Sequence, residues 1–323
     1  MIHRTVIILL AFSISLTFAE NAGQLTFPRD TSYTLHSAYD KHKKDYPLIK
    51  PVQYDTSNGS LRYGNICYNS SQPRPLSLDI FSTAEKPAAL KPAVILIHGG
   101  GWRSGDRTLM YPLADYLAKH GYAAIPVEYR LSPEARYPAA VNDIRAAVTW
   151  LLNTGGAYGI DTTKIAILGC SAGGQLAALA GLTFGMDENH KDLPGKHIQA
   201  IVNIDGIMDF TSEAARKYED SPAKKTTSAG EWFGGRYAEK EELWKEASPV
   251  YYVNKNSPPI LFINSSRPRF HIGRDAVIEK LNTFSIYSEI HAFDDAPHSF
   301  WLFDPWFEKT ASYTANFLDR VLK

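Results

Sequence analysis

From Pro92 to its end the chain repeats one pattern, in which a short apolar run is followed by a polar turn and then by a stretch with helical spacing. The apolar runs fall at 93–97, 123–127, 164–168, 200–204, 259–263 and 288–293. The helical stretches fall at 109–120, 139–154, 172–182 and 273–284, with a last one near 305–322. Runs of this kind are apolar on both faces, so each must be covered twice, and helices between successive strands provide that cover. The fold class that follows is α/β, with a mostly parallel sheet flanked by helices. Two earlier stretches, 61–68 and 76–81, alternate like half-buried strands and are joined by a turn-rich 69–75, which predicts an antiparallel pair. The alternation breaks between about 209 and 258, a span too long for an ordinary connection, and an insertion over the strand ends is expected there. It is rich in aromatics, including Tyr218, Trp232, Phe233, Trp244 and Tyr251. They can form a small core or a stacking platform for sugar rings.

One strand-to-helix junction carries chemistry. The run 165–168 leads into Gly169-Cys170-Ser171-Ala172-Gly173-Gly174 and at once into a helical stretch, so Ser171 stands at a sharp bend flanked by residues without side chains. Such a bend exposes a serine hydroxyl as a nucleophile. Acyl transfer also needs donors for the oxyanion and a base. His98-Gly99-Gly100-Gly101-Trp102 follows the run 93–97, and the N–H groups of Gly100, Gly101 and Ala172 are the oxyanion candidates. His298, in a loop between the last strand and the terminal helix, is the base candidate. His98 is its rival, better suited to packing beside the glycines. Trp102 either walls the acyl pocket and contacts substrate or packs structurally. Asp143 suits a helix N-terminus and can pair with Arg130.

The rest of the composition narrows the function. Lys plus Arg and Asp plus Glu both number 34, so no global field recruits nucleic acid or an anionic membrane. Residues 1–19 read as a signal peptide, with His3 and Arg4 before an apolar core and Thr17-Phe18-Ala19 at the cleavage site. An exported protein, periplasmic or extracellular, with no stable membrane insertion is expected. Residues 20–60 form an N-terminal arm and 61–323 the catalytic domain. Cys67 and Cys170 are expected as two free, buried thiols, and their number and spacing offer no metal site.

The glycine loop, the Ser171 elbow, Glu128-Tyr129-Arg130-Leu131-Ser132-Pro133 and Pro297-His298-Ser299-Phe300 together resemble the α/β-hydrolase superfamily. Within it the chain is similar to secreted carbohydrate esterases of the acetylxylan, feruloyl and pectin esterase type, relatives of the hormone-sensitive-lipase-like enzymes. The resemblance implies an eight-stranded sheet, ester hydrolysis through an acyl-enzyme on the serine, and no cofactor.

One element departs from that family's pattern. A Gly-x-x-Asp is expected after the strand at 260–264, but the chain reads Ser265-Ser266-Arg267-Pro268-Arg269-Phe270-His271-Ile272-Gly273-Arg274-Asp275. Asp275, the first carboxylate in the loop, ranks first as the acid that orients His298, and Asp205, at the end of the preceding strand, ranks second. Asp294 and Asp295 rank lower, and a Ser–His dyad is a further alternative. Arg267 and Arg269, with Arg274, are substrate-binding candidates, because arginine holds carboxylates bidentately. A uronic acid recognised there, together with the loop's resemblance to proteins of pectin breakdown, favours a pectic methyl or acetyl ester on a plant cell-wall polysaccharide or oligosaccharide. An acetylxylan or feruloyl esterase and a generic lipase-like carboxylesterase are the enzymatic alternatives. A non-catalytic carbohydrate-binding protein on a hydrolase fold is the alternative of another class.

Overall fold

The computed structural model describes residues 29–83, 89–186 and 197–323. The segment expected as a signal peptide lies outside them. The arm contributes α1 (Leu35–His42), opened by a capping box in which Thr34 and Ser37 exchange side chain to backbone bonds. It also contributes the two-residue strand β1 (Lys50–Pro51). Eight strands then build the main sheet: β2 (Leu61–Asn69), β3 (Leu76–Phe81), β4 (Lys91–Ile97), β5 (Ala123–Val127), β6 (Ile160–Cys170), β7 (Ile198–Ile204), β8 (Ile260–Asn264) and β9 (Ser288–Ala292). Their order is β2-β3-β5-β4-β6-β7-β8-β9. β2, β3 and β5 pair antiparallel, and the remaining neighbours pair parallel. This is an α/β-hydrolase fold. A last short strand, β10 (Phe303–Asp304), pairs antiparallel with β1 and ties the arm to the C-terminal region.

The double cover predicted from the apolar runs is visible residue by residue. Along β4, Ile95 and Ile97 join one core with Ile144 of α3 (Ala139–Thr154) and Leu176 of α4 (Ala172–Thr183). Val94 and Leu96 join the other with Leu117 of α2 (Tyr111–Lys119) and Phe317 of α9 (Phe307–Leu322). Alternation along a strand sends neighbours to opposite faces, so one all-apolar strand feeds two cores. α4 is buried along its whole length. α8 (Arg274–Thr283) joins the first core through Val277 and Leu281.

Between β7 and β8 the insertion forms α5 (Glu213–Glu219), α6 (Ser228–Phe233) and α7 (Tyr237–Glu246). Phe210, Trp232, Phe233 and Trp244 are buried together as its core. The expectation for the cysteines holds only in part. Both are free, but Cys67 is exposed on the edge strand β2 while Cys170 is buried. No helix among the described residues is long and apolar enough to cross a membrane.

Candidate active site

β6 ends at Cys170 and α4 starts at Ala172, which leaves Ser171 at the bend with φ 56° and ψ −121°. A non-glycine residue held there is strained, and close packing enforces it. A Cβ on Gly169 would stand 1.9 Å from the carbonyl oxygen of Gly173, and one on Gly173 would stand 2.2 Å from that of Ile97. Only glycine fits either position. The serine hydroxyl is thereby aimed out of the sheet into a cleft of about 440 Å³.

Three side chains from the segments that follow three strands, β6, β7 and β9, meet in this cleft. Ser171 Oγ lies 2.8 Å from His298 Nε2, and His298 Nδ1 lies 2.9 Å from Asp205 Oδ2. A proton on Nδ1, donated to the carboxylate, leaves Nε2 to accept from the serine. Asp205 is fully buried just past β7, at φ 53°. Its Oδ1 accepts the backbone N–H of Ser265 at 2.8 Å and Asn264 Nδ2 at 3.3 Å. Those bonds hold the carboxylate still. Burial lowers the pKa of His298, and the hydrogen bond and charge of Asp205 partly oppose that shift. Phe270 stacks flat on the imidazole, with ring centroids 3.6 Å apart and planes 9° apart. Trp301 meets the same ring edge-on at 5.2 Å.

The glycine loop closes on the elbow: a Cβ on Gly99 would stand 2.8 Å from the carbonyl oxygen of Cys170. Gly100 and Gly101 follow at φ 126° and 62°. Among the described residues, the N–H groups of Gly100, Gly101 and Ala172 donate to no protein acceptor, and all three residues line the cleft. Unspent donors beside a nucleophile are what a developing oxyanion requires. Trp102 lines the same cleft, yet its ring belongs to the insertion core. It stacks on Trp232 at 4.8 Å and donates its indole N–H to Gln175 Oε1 at 3.0 Å. His98 packs away from Ser171, stacked on Tyr129 at 4.4 Å, and burial brings its pKa down to about 4.

Several residues stand elsewhere than the sequence led us to expect. Asp275, ranked first as the acid, is exposed on the first turn of α8 and pairs with Arg274 at 2.8 Å. Its place beside His298 is taken by Asp205, because β7 and β8 are neighbours and the Ser265 N–H turns the Asp205 carboxylate toward the imidazole. Asp294 is exposed, and Asp295 accepts from the Trp306 indole at 3.0 Å. Arg267 is exposed and is not part of the cleft wall. Arg269 does line the cleft, but its guanidinium is held 2.6 Å from the buried Glu219. Arg274 is occupied by Asn264 and Asp275. As expected, Arg130 clasps Asp143, at 2.7 Å.

Other residues at the site had no signal in the sequence. Phe270 is one, and the arm supplies more. Tyr33 donates its backbone N–H to Ser104 Oγ at 2.8 Å, just past the glycine loop, and its phenol meets Ser299 Oγ at 2.9 Å, next to His298. Burial pushes that phenol up to about 12.

Residues 78–269, more than half of the chain, match the model of the BD-FAE family. The chain belongs to the BD-FAE family. Among curated proteins it is similar to Esterase LipC of Mycobacterium tuberculosis, with 32% identity over 199 residues that cover 59% of this chain and 47% of LipC. It thus spans about half the length of the first curated relatives it matches. Among solved structures, a truncated carbohydrate esterase from gut microbiota superposes with a TM-score of 0.68 at 23% identity, over 83% of this chain and all of that one. A bifunctional GH43-CE protein of Bacteroides eggerthii superposes with a TM-score of 0.65 at 24% identity, over 81% of this chain and 38% of that one. Both structures share the α/β-hydrolase fold of this BD-FAE member.

Proposed function

We propose that this chain is a serine carbohydrate esterase that removes acetyl or feruloyl groups from a plant polysaccharide or its oligosaccharides. The observation that carries the reading is the unbroken hydrogen-bond chain from Ser171 through His298 to a buried Asp205, opening into a cleft rimmed by free N–H groups. Membership of the BD-FAE family supports the acyl class.

In the proposed reaction Ser171 Oγ attacks the ester carbonyl as His298 Nε2 takes its proton. The N–H groups of Gly100, Gly101 and Ala172 stabilise the oxyanion of the tetrahedral intermediate, where each such donor contributes about 3 kcal/mol. Asp205 stabilises the imidazolium that forms and holds it in line. His298 then returns the proton to the departing sugar hydroxyl, which leaves the acyl group on Ser171. Water enters, gives a proton to His298 and attacks the acyl carbon. In the collapse of the second intermediate the bond from the acyl carbon to Ser171 Oγ breaks, His298 returns its proton to that oxygen, and the carboxylic acid is released.

The pectic reading loses its two arginines, since Arg267 stands outside the cleft and Arg269 is paired with Glu219. An acetyl or feruloyl ester is therefore the leading reading. An exported location belongs to the same proposal, supported by the charged start, apolar core and small residues of 1–19. Release of acetate from acetylated xylan and of ferulate from feruloylated arabinoxylan, compared with Ser171→Ala, tests the function. Release abolished by Ser171→Ala supports it; no release from either polymer by the unaltered chain rejects it.

A further inference from the structure

Among the described residues, six charged ones line the cleft: Asp30, Lys41, Arg103, Asp205, Glu219 and Arg269. Five of them have an ionic or hydrogen-bonding partner within the protein. Arg103 lies 2.7 Å from Glu231 and 3.5 Å from Asp30, Arg269 lies 2.6 Å from Glu219, and Asp205 is committed to His298. Lys41 is left. Among the described residues no carboxylate pairs with it, whereas Lys43, at the C-cap of α1, is held 2.6 Å from Asp40.

Lys41 is exposed, but its position is fixed. It sits in the last turn of α1, and the segment before that helix is pinned to the body by the Asp30–Ser104 bridge and by both bonds of Tyr33. α1 itself is anchored by the buried Ala38. The arm thus presents an ammonium group at the cleft wall rather than trailing it through solvent.

That position bears on the chemistry. The charge of Lys41 acts on His298, and together with those of His298 and Arg267 it acts on the neighbouring His42, where Asp45 is the opposing charge. Cationic influence is therefore concentrated at this end of the cleft. A cation with no carboxylate partner of its own, on the wall of the cleft that holds a histidine which must itself become positive, opposes that step for a neutral substrate, and Asp205 offsets this only in part. A substrate bringing its own negative charge removes the penalty and gains an ion pair.

We propose that Lys41 forms a carboxylate subsite, so that the preferred sugar chain carries uronic acid residues beside the ester. The inference rests on the carbohydrate-esterase reading and names its substrate class. The charged contact lies on the N-terminal arm rather than on the loop arginines expected from the sequence, and the acyl group is left open. Arg267, further out, adds to the field without touching the bound sugar.

The test measures binding, so that it stands apart from turnover. The full chain carrying Ser171→Ala is titrated calorimetrically with trigalacturonate and with galactotriose, then again after adding Lys41→Ala or Arg267→Ala. Trigalacturonate is expected to bind at least about tenfold more tightly than the neutral trimer, by an amount that shrinks with added salt. Lys41→Ala is expected to erase the difference and Arg267→Ala to preserve most of it. Equal affinity for both sugars, binding of neither, or a difference that survives Lys41→Ala overturns the proposal. Absence of ester hydrolysis by the unaltered chain would reject the esterase reading instead.

Discussion

The carboxylate of Asp205, at the end of β7, lies 2.9 Å from His298 Nδ1, whereas Asp275, in the loop after β8, faces solvent beside Arg274. The carboxylate that meets His298 thus comes from one strand earlier than the resemblance to other α/β-hydrolases implies. This is geometrically available because β7 and β8 are parallel neighbours whose ends open on the same cleft. Asp205→Asn keeps the shape but removes the acceptor that fixes the imidazole tautomer. A fall in kcat of roughly 10³- to 10⁴-fold is expected, against a change of less than about twofold for Asp275→Ala. Steady-state kinetics on a small acetyl ester checks both.

The buried imidazole carries a pH prediction. Burial lowers the pKa of His298, and only neutral His298 can take the serine proton. The acid limb of kcat/KM is therefore expected below the ordinary histidine value of about 6.5, with activity retained as pH falls toward it and lost beneath it. Asp205 pulls the pKa upward, so in Asp205→Asn the residual activity is expected to show a limb at still lower pH. A limb above about 6.5 in the unaltered chain would contradict the burial argument.

Tyr33 joins the two loops that flank Ser171, through Ser104 on one side and Ser299 on the other. Ser299 sits at φ 76° directly after His298, so the phenol steadies a strained residue next to the base. Tyr33→Phe removes that bond alone. It is expected to lower kcat roughly three- to tenfold, with KM changed less than about twofold. A purely structural role would lower the melting temperature and leave kcat per folded molecule intact.

The elbow glycines differ from a glycine in open space. Gly173→Ala places a Cβ 2.2 Å from the Ile97 carbonyl oxygen, in backbone that cannot yield. A loss of about 3 kcal/mol or more, or failure to fold, is expected by urea unfolding. A Cβ on Gly156 would meet nothing within 4 Å. Gly156→Ala is expected to be neutral or to stabilise by up to about 1 kcal/mol.

Much of this molecule is legible in its sequence because its signals are local. An apolar run, a following helix and a Gly-flanked serine each depend on neighbours along the chain, and strands 93–97 and 123–127 have the same bounds in β4 and β5 apart from two residues at the start of β4. The acid is not legible in the same way, because its partner is set by contact between strands far apart in sequence. Asp205 and His298 are separated by 93 positions, and the donors that hold the carboxylate toward the ring, the Ser265 N–H and Asn264 Nδ2, come from a third segment. Phe270 and the arm residues Tyr33 and Lys41 are illegible for the same reason. The insertion aromatics can be read as either core or platform, and burial resolves them: Trp232 and Trp244 are buried, while Tyr218 and Tyr251 are exposed.

Covalent labelling addresses the nucleophile directly. Treatment of the full chain with a serine-reactive alkyl phosphonate, followed by peptide mass spectrometry, should give one adduct, on Ser171. Labelling should be slowed by about 100-fold or more in Asp205→Asn and be absent in Ser171→Ala. An unmodified Ser171 in the unaltered chain, or labelling as fast in Asp205→Asn as without the substitution, would contradict a Ser171–His298–Asp205 catalytic centre.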